Sequence, residues 1–562
     1  MGLIKQNIEK YLKEIYPFIP APEVELSKGF IDSFANSAAT ARSCYSQSLV
    51  DDYKIKEDIE KNIELIKTIY SAGHHTVLTH GQFQFKLSKI TRHLVWSFLH
   101  SHSENNSEQV SQRYVEVKKQ NIIRPNPEYF NDNYITEFFD KELDEQFFCY
   151  KELSKDLLPL VKKEYLELFP HHKNIVDTKE MESKLSKKAI EVARYVLPIG
   201  TLTQMYHTIS AITLFRYYKV CQFFDVSFEQ KYLVYSMVNE VLKFDPLYEE
   251  IIGECLEKDF TPEYQFLATN NYLPYTKMNF DEEKEKQFLD FINNFDGRLA
   301  GYNSKLCDYK VFAQSTLADS VRQVLNIASA NLSNESIPIL KSDADAIDLL
   351  LNPAKNKILT STLNLTMLHK LSRAMHHPHY TFYKKLSHTA DSQDQRHRAT
   401  PATRGIFYCS YKPDYITPKL INKYESIKAF YNLAMSHCWA SINKLRRHLA
   451  TKNEQDNFLN YQLISYLYPN ATTIRTIESG SLMGLHHKYK MRLCYLAQEE
   501  IWQHSVDEVK QITEVHPLIG KYLLPPCTIR KMANVRPTCP EGDRFCGVKV
   551  WQLNVNNYER TL

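Results

Sequence analysis

Three groups of residues in this 562-residue sequence have side-chain types and spacing suited to chemistry. In DSQDQRHRATPATR (391–404), Gln393-x-x-Arg396-His397-Arg398 sets two guanidinium groups around an imidazole. Guanidinium forks donate paired N–H groups to phosphate or carboxylate oxygens and stack on flat rings. By residue type alone, the cluster is an anion site or a solvated basic loop. In MRLCYLAQEEI (491–501), Arg492 precedes Gln498 and Glu499 on what reads as one helix. By residue type alone, Arg492 is a helix-surface arginine in a charge network. Ser111-Gln112-Arg113-Tyr114 pairs a hydroxyl with a guanidinium, suited to a phosphate, or else Arg113 is tied to Glu108 or Glu116.

Other clusters carry less. His376-His377-x-His379 and His100-x-His102 have histidines close together, but no nearby carboxylate or cysteine completes a ligand set. In the tail CTIRKMANVRPTCPEGDRFC, Cys527, Cys539 and Cys546 lack the close knuckle of most zinc sites, and no fourth ligand is evident. No metal is expected. Cys44 and Cys409 have no paired base, so neither reads as a nucleophile. There are 14 glycines and neither a GxGxxG nor a GxxxxGK[ST] pattern, so side chains must hold any phosphate.

Bulk composition narrows the class. Lys+Arg 69 against Asp+Glu 66 gives a net charge of +3, which excludes general nucleic-acid affinity as an expectation. MGLIKQNIEKYLKEIY is amphipathic, without the apolar core of a signal peptide, and Gln6 spoils a myristoylation pattern. VLPIGTLTQMYHTISAITLF (196–215) carries Pro198, Gln204 and His207, and reads as a buried helix, not a membrane span. The eleven cysteines are mostly scattered, as in a reducing compartment. A cytoplasmic protein without membrane attachment is expected.

The elements that position these residues recur along the chain. HGQFQFKLSKITRHLVWSFLHSH (80–102) registers over HHPHYTFYKKLSHTADSQDQRHR (376–398), setting His80 over His376, Leu87 over Tyr383 and Thr91 over Ser387. Each segment runs from a histidine through an alternating strand and a small hydroxyl residue to a polar cluster. Further on, YVLPIGTLTQMYHTISAITLFRYYKVC (195–221) registers over YLYPNATTIRTIESGSLMGLHHKYKMR (466–492), each opening Tyr-x-x-Pro, with the proline suited to a first helical turn. The chain reads as two diverged copies, 1–285 and 300–562, joined near 281–305. A helical insert at about 138–190 makes the first copy longer, and the second copy carries the cysteine tail. The expected class is α/β (α+β), each copy a small β-sheet packed with helices.

These motifs resemble the flavin-dependent thymidylate synthases (ThyX). In the first copy the resemblance lies in Gly73-His74-x-Thr76, His80, Phe83-x-Phe85, Thr91-Arg92, Ser111-Gln112-Arg113-Tyr114, ATARSCYSQ (39–47) and ARYVLP (193–198). In the second it lies in Ser387, Gln393, Arg396-His397-Arg398 and MRLCYLAQEEI. The copies depart in opposite ways. The first has His100-Ser101-His102 for Arg-His-Arg, Ser97 for the glutamine and Cys221 for Arg492; the second lacks Ser-x-Arg-Tyr. Met483 and Ile212 stand where the family has a further substrate arginine.

The resemblance implies FAD held by His376, Arg396, His397, Arg398 and His80, and nucleotide bound by Gln393, Ser111, Gln112 and Arg113. Arg492 is implied as the catalytic, substrate-orienting group. It implies reductive methylation of dUMP at C5, with NADPH and methylenetetrahydrofolate as co-substrates, and a dimer forming a pseudo-tetramer. A related flavin enzyme for another pyrimidine nucleotide, or a non-catalytic flavin- or nucleotide-binding scaffold, remains open at this point.

Overall fold

The computed structural model describes all residues except 1–2, 15–18, 101–104, 127–128, 130–131, 274–280, 328–339, 408–409, 452–456 and 562. Ser101, His102 and Cys409 therefore lie outside the described residues. In the first half, strand β1 (Glu23–Gly29) is followed by β2 (Gln82–Thr91) running into helix α1 (Arg92–His100), then β3 (Asn106–Gln109). Helices α2 (Asn133–Leu168) and α3 (Lys179–Ala193) precede β4 (Leu202–Ser210), which runs into α4 (Ala211–Lys219), and α5 (Phe228–Phe244) follows.

The second half repeats this order. Strand β5 (Ser304–Tyr309) precedes β6 (His379–Ser387), which runs into α6 (His388–Asp394), and β7 (Ala402–Arg404) comes next. Helices α7 (Glu425–Leu449) and α8 (Asn457–Ser465) lead to β8 (Thr473–Ser481), which runs into α9 (Leu482–Arg492), and α10 (Glu499–Val515) follows. The sheets have the orders β1-β2-β4-β3 and β5-β6-β8-β7, with every pair antiparallel. The duplication expected from sequence is thus visible in topology.

Local chemistry explains the repeated strand-to-helix corner. Phe83, Phe85 and Leu87 on β2, and Tyr380 and Phe382 on β6, alternate into the cores with almost no exposure. A hydroxyl then starts each helix: Thr91 Oγ1 accepts from Leu94 N at 3.0 Å and Ser387 Oγ from Ala390 N at 3.1 Å. Ser210 and Ser481 cap α4 and α9 in the same way. Each cap satisfies an amide that the helix leaves unpaired.

Several sequence expectations are corrected. Residues 196–215 are not a helix: Thr203, Met205, His207 and Ile209 face inward at period two, which makes β4, and α4 begins only at Ala211. Pro198 and Pro469 are not in first helical turns. They face each other in an isolated antiparallel bridge, in turns leading toward the strands, where a missing N–H costs no helix bond. The 138–190 insert is an enlargement, not an addition: α2 and α3 (36 and 15 residues) answer to α7 and α8 (25 and 9). The register expected along the strand also shifts. A bulge in β2 between Leu87 and Ile90, with Lys89 at φ 55, absorbs one residue, so Leu87 lies opposite Met205 as Lys384 lies opposite Thr476. Leu87 therefore answers to Lys384, not Tyr383, whereas His80 and His376 each close a six-residue 3-10 segment before the strand.

The chain forms two compact units, each discontinuous in sequence. Unit 1 comprises Met1–Lys151, Val196–Lys284 and Ala434–Pro469; unit 2 comprises Glu152–Tyr195, Glu285–Leu433 and Asn470–Leu562. The halves drawn at 1–285 and 300–562 differ from these units in two exchanged stretches, 152–195 and 434–469. Unit 1's core gathers Phe34, Phe83, Phe85, Leu94, Ile209, Leu214 and Val238, among others; unit 2's gathers Leu317, Tyr380, Phe382, Leu485, Trp502 and Val509.

Candidate functional site

In unit 2, α6 leaves the corner at Ser387 and ends within two turns, delivering Arg396, His397 and Arg398 just beyond it. The turn is tied by His397 N to Asp394 O at 3.0 Å and by Thr400 N to His397 O at 3.0 Å. Arg396 and Arg398 are exposed, whereas His397 is half-buried between them. Burial, and then the charges of Arg492 and Lys488, hold the His397 pKa well below its ordinary value, so the ring is neutral. His487 lies edge-on to it, with ring centroids 5.9 Å apart.

Arg492 ends α9 and points its guanidinium across α6, donating from Nη2 to the Gln393 carbonyl at 2.9 Å. Gln393, Arg396–Arg398 and Arg492 are thus brought together. Sequence reading had placed Gln498 and Glu499 on the same helix as Arg492. The helix instead stops at Arg492, and Gln498 is the N-cap of α10. Met483 and Ile212, at the positions of the missing arginine, are core residues, as is Cys221 at the place answering to Arg492.

Beneath this surface lies a group that sequence reading missed. Lys384 Nζ lies 2.6 Å from Glu478 and 3.3 Å from Glu508, and also pairs with Asp394; Lys488 Nζ is 2.9 Å from Asp394 and pairs with Glu478. All five side chains are at most 6% exposed. Burial disfavours each charge, but the carboxylates hold Lys384 well above its ordinary pKa, and Lys384, Lys488 and Arg492 hold Asp394 well below its own. One signal was available: Lys384 follows Phe382 by two residues and so occupies an inward strand position.

A second missed feature is the junction at each corner. Glu500 on α10 accepts from Ser387 N at 2.6 Å and Ser387 Oγ at 2.7 Å, and the Tyr195 hydroxyl donates to the same carboxylate. In unit 1, Glu229 on α5 accepts from Thr91 N at 2.7 Å, Thr91 Oγ1 at 2.6 Å and the Tyr466 hydroxyl at 3.0 Å.

The remaining expected residues are placed as follows. His376 is exposed at the end of a short 3-10 segment (Leu371–His376) in unit 2. His80 is exposed at the end of the matching segment His75–His80 in unit 1. Ser111, Gln112 and Arg113 form a turn in unit 1, where Ser111 Oγ accepts from Arg113 N at 3.2 Å. Gln112 is buried, and the Arg113 guanidinium lies over the Tyr114 ring, 5.2 Å from its centre. In the tail, Cys494 joins Cys527, Cys539 and Cys546 around one small cavity of unit 2, all four as free thiols. Burial pushes Cys527 to about 11 and Cys494 to about 12. Among the described residues, no group of three or more His, Cys, Asp or Glu is arranged to hold a metal ion, and no helix is long and apolar enough to cross a membrane.

The sequence model of the thymidylate synthase complementing protein family matches residues 28–247 and 315–518, one span per copy and together more than half of the chain. The chain belongs to that family. As a thymidylate synthase complementing protein it is a tandem form, of the flavin-dependent thymidylate synthase type. A flavin-dependent thymidylate synthase of Clostridium tetani (strain Massachusetts / E88) is 28% identical over 209 residues, covering 37% of this chain and 78% of the relative. The crystal structure of a UMP/dUMP methylase, PolB from Streptomyces cacaoi, bound with 5-Br dUMP, aligns with a TM-score of 0.30 and 16% identity, covering 41% of this chain and 94% of the other.

The donor set of unit 2 fits a flavin dinucleotide. Two exposed guanidiniums suit a diphosphate, and a neutral imidazole between them suits contact with a flat ring.

Proposed function

We propose that this chain is a flavin-dependent methyltransferase of the cytoplasm that methylates C5 of dUMP, with methylenetetrahydrofolate and NADPH as co-substrates. The observation that carries the reading is Arg492 fixed on the Gln393 carbonyl beside Arg396, His397 and Arg398. FAD, held in unit 2 by the Arg-His-Arg turn with His376 as a further contact, would supply hydride transfer and one-carbon relay. The chain's own residues have four tasks. Arg396 and Arg398 bind phosphate charge by paired donors. Arg492 holds a pyrimidine carbonyl and stabilises the negative charge that develops on the ring. Gln393 orients the base; within unit 1, Ser111, Gln112 and Arg113 are suited to a nucleotide phosphate. Self-association as a dimer, forming a pseudo-tetramer, is part of this reading.

A second reading has its own support: Met483 is buried where the family carries a phosphate-binding arginine, which favours a different pyrimidine nucleotide as substrate. Tritium release from 5-tritiated dUMP, compared with 5-tritiated UMP and the free nucleosides, separates the two. Release from none of them, by protein that carries flavin, leaves a non-catalytic flavin-binding scaffold.

A further inference from the structure

The buried charges of unit 2 can be compared with the same positions in unit 1, because the repeat aligns element by element. Lys384 answers to Leu87 by strand register, and Glu478 to His207 on the neighbouring strand. Asp394 answers to Phe98, counted from the caps Ser387 and Thr91, and Lys488 to Tyr217, counted from Ser481 and Ser210. Glu508 answers to Met237 on the matching 17-residue helices α10 and α5. Leu87, Phe98, His207, Tyr217 and Met237 are all at most 3% exposed. Phe98 packs on Tyr217 at 4.5 Å and on His207 at 5.0 Å between ring centroids. One sheet topology is therefore built twice, once over an aromatic cluster and once over five buried charges.

The fold does not require the charges, since unit 1 does without them. Buried ion pairs carry a desolvation cost that well-packed apolar side chains of similar volume avoid. What distinguishes unit 2 lies above the charges. Asp394 is the last residue of α6, two residues before Arg396, and Lys384 and Lys488 grip it from a strand and a second helix. Arg492 closes the set, acting on Asp394 and bonded to Gln393 O on the same turn, so three cations face three carboxylates. In unit 1 the matching turn has no Arg-His-Arg and Cys221 stands in the place of Arg492.

We propose that Lys384 and Lys488 are positioning residues that, through Asp394, fix the turn carrying Arg396, His397 and Arg398, so that the chain holds one flavin, in unit 2, and none in unit 1. This rests on the flavin reading given above. Glu478 and Glu508 hold the two ammonium groups in place; Ser304 Oγ donates to Glu508 at 2.8 Å and so ties the set to β5.

The test is a transplant of unit 1's apolar set into unit 2: Lys384→Leu, Asp394→Phe, Glu478→His, Lys488→Tyr and Glu508→Met together in the full chain. Flavin per chain is read from visible absorbance against protein, FAD affinity by titration of deflavinated protein, and folding by thermal unfolding. The wild-type chain is expected to hold one flavin. The five-fold variant is expected to unfold at or above the wild-type temperature, yet bind FAD about tenfold more weakly or worse, the order by which loss of an orienting outer partner weakens a metal site. Lys488→Met alone, which leaves Asp394, Glu478 and Glu508 crowded on the single Lys384 ammonium, is the second variant: it is expected to lower flavin affinity and unfolding temperature together. Two flavins per wild-type chain, or unchanged FAD affinity in a folded five-fold variant, would overturn the proposal. If the five-fold variant does not fold, unchanged FAD affinity in folded Lys488→Met overturns it. Absence of flavin from the wild-type chain, even after reconstitution, instead defeats the flavin reading on which it rests.

Discussion

The Tyr195 hydroxyl donates to the Glu500 carboxylate, a bond between residues 305 positions apart in sequence and inside one compact unit. Its counterpart joins Tyr466 to Glu229 at 3.0 Å in the other unit. Each tyrosine opens the Tyr-x-x-Pro segment of one copy, and each glutamate belongs to the helix following the corner of the other. The exchange is reciprocal, and it ends on the residues that cap α1 and α6.

Tyr195→Phe removes one donor but leaves Glu500 bonded to Ser387 N and Oγ. The loss of a hydrogen bond to a charged group predicts destabilisation by about 1.5–3 kcal/mol. Tyr466→Phe is expected to fall at the lower end of that range, because its bond is longer. Urea unfolding of both variants measures this, and equal stability to wild type would refute it.

Two opposed pH dependences of stability are expected, both below neutrality. Burial raises Glu229 to about 7, so its contribution is fully present below about 4.5 and is lost as pH rises through 7, on the order of 3 kcal/mol in all. Burial lowers His93 to about 4 and His486 to about 3. Their contribution is present above about 6.5 and is lost as pH falls toward 4 and then 3. Unfolding temperatures measured from about pH 3 to about pH 8 read both, and Glu229→Gln is expected to remove only the loss between about 4.5 and about 7.

Arg492→Ala is expected to lower turnover of the nucleotide by about 100-fold or more, the usual cost of removing a donor aimed at developing charge. Arg492→Lys recovers little of it, since an ammonium cannot copy the fork. Tritium release from the labelled nucleotide, measured at saturating substrate, reads this directly.

Arg396→Ala and Arg398→Ala each remove charge-assisted bonds and should weaken FAD binding about tenfold, with little change in unfolding temperature because both side chains are exposed. Equilibrium titration with FAD is the measurement.

Gly200 abuts the backbone of Tyr466: a Cβ there would lie 2.8 Å from the Tyr466 carbonyl oxygen and 2.9 Å from Ile123 Cγ2. Gly200→Ala is therefore expected to cost about 1–3 kcal/mol by overpacking, seen as a lower unfolding midpoint.

The corner residues were legible in sequence because their physics is local. Phe83, Phe85 and Phe382 alternate, and Thr91 and Ser387 end the alternation where a helix needs a hydroxyl cap. The duplication was legible for the same reason. The bulge at Lys89 was not, since one extra residue in a strand leaves no mark on side-chain type and surfaces only in the pairing with β4. The break after Arg492 was hidden because 491–501 keeps helical composition through the turn. The partners of Asp394 were out of reach: Lys384, Glu478, Lys488 and Glu508 lie on four elements, and only tertiary structure brings them together. Pro198 and Pro469 were misread because a proline marks a boundary without saying what lies on its far side.

The exchanged stretches also set the order of events during synthesis. Residues 434–469 are part of unit 1, so the N-terminal half leaves the ribosome with its Glu229 corner still waiting for Tyr466. The missing piece comes from the same molecule, where the tether supplies it at high local concentration. Cutting the gene at its point of duplication would yield two fragments, each holding a portion of the other's fold.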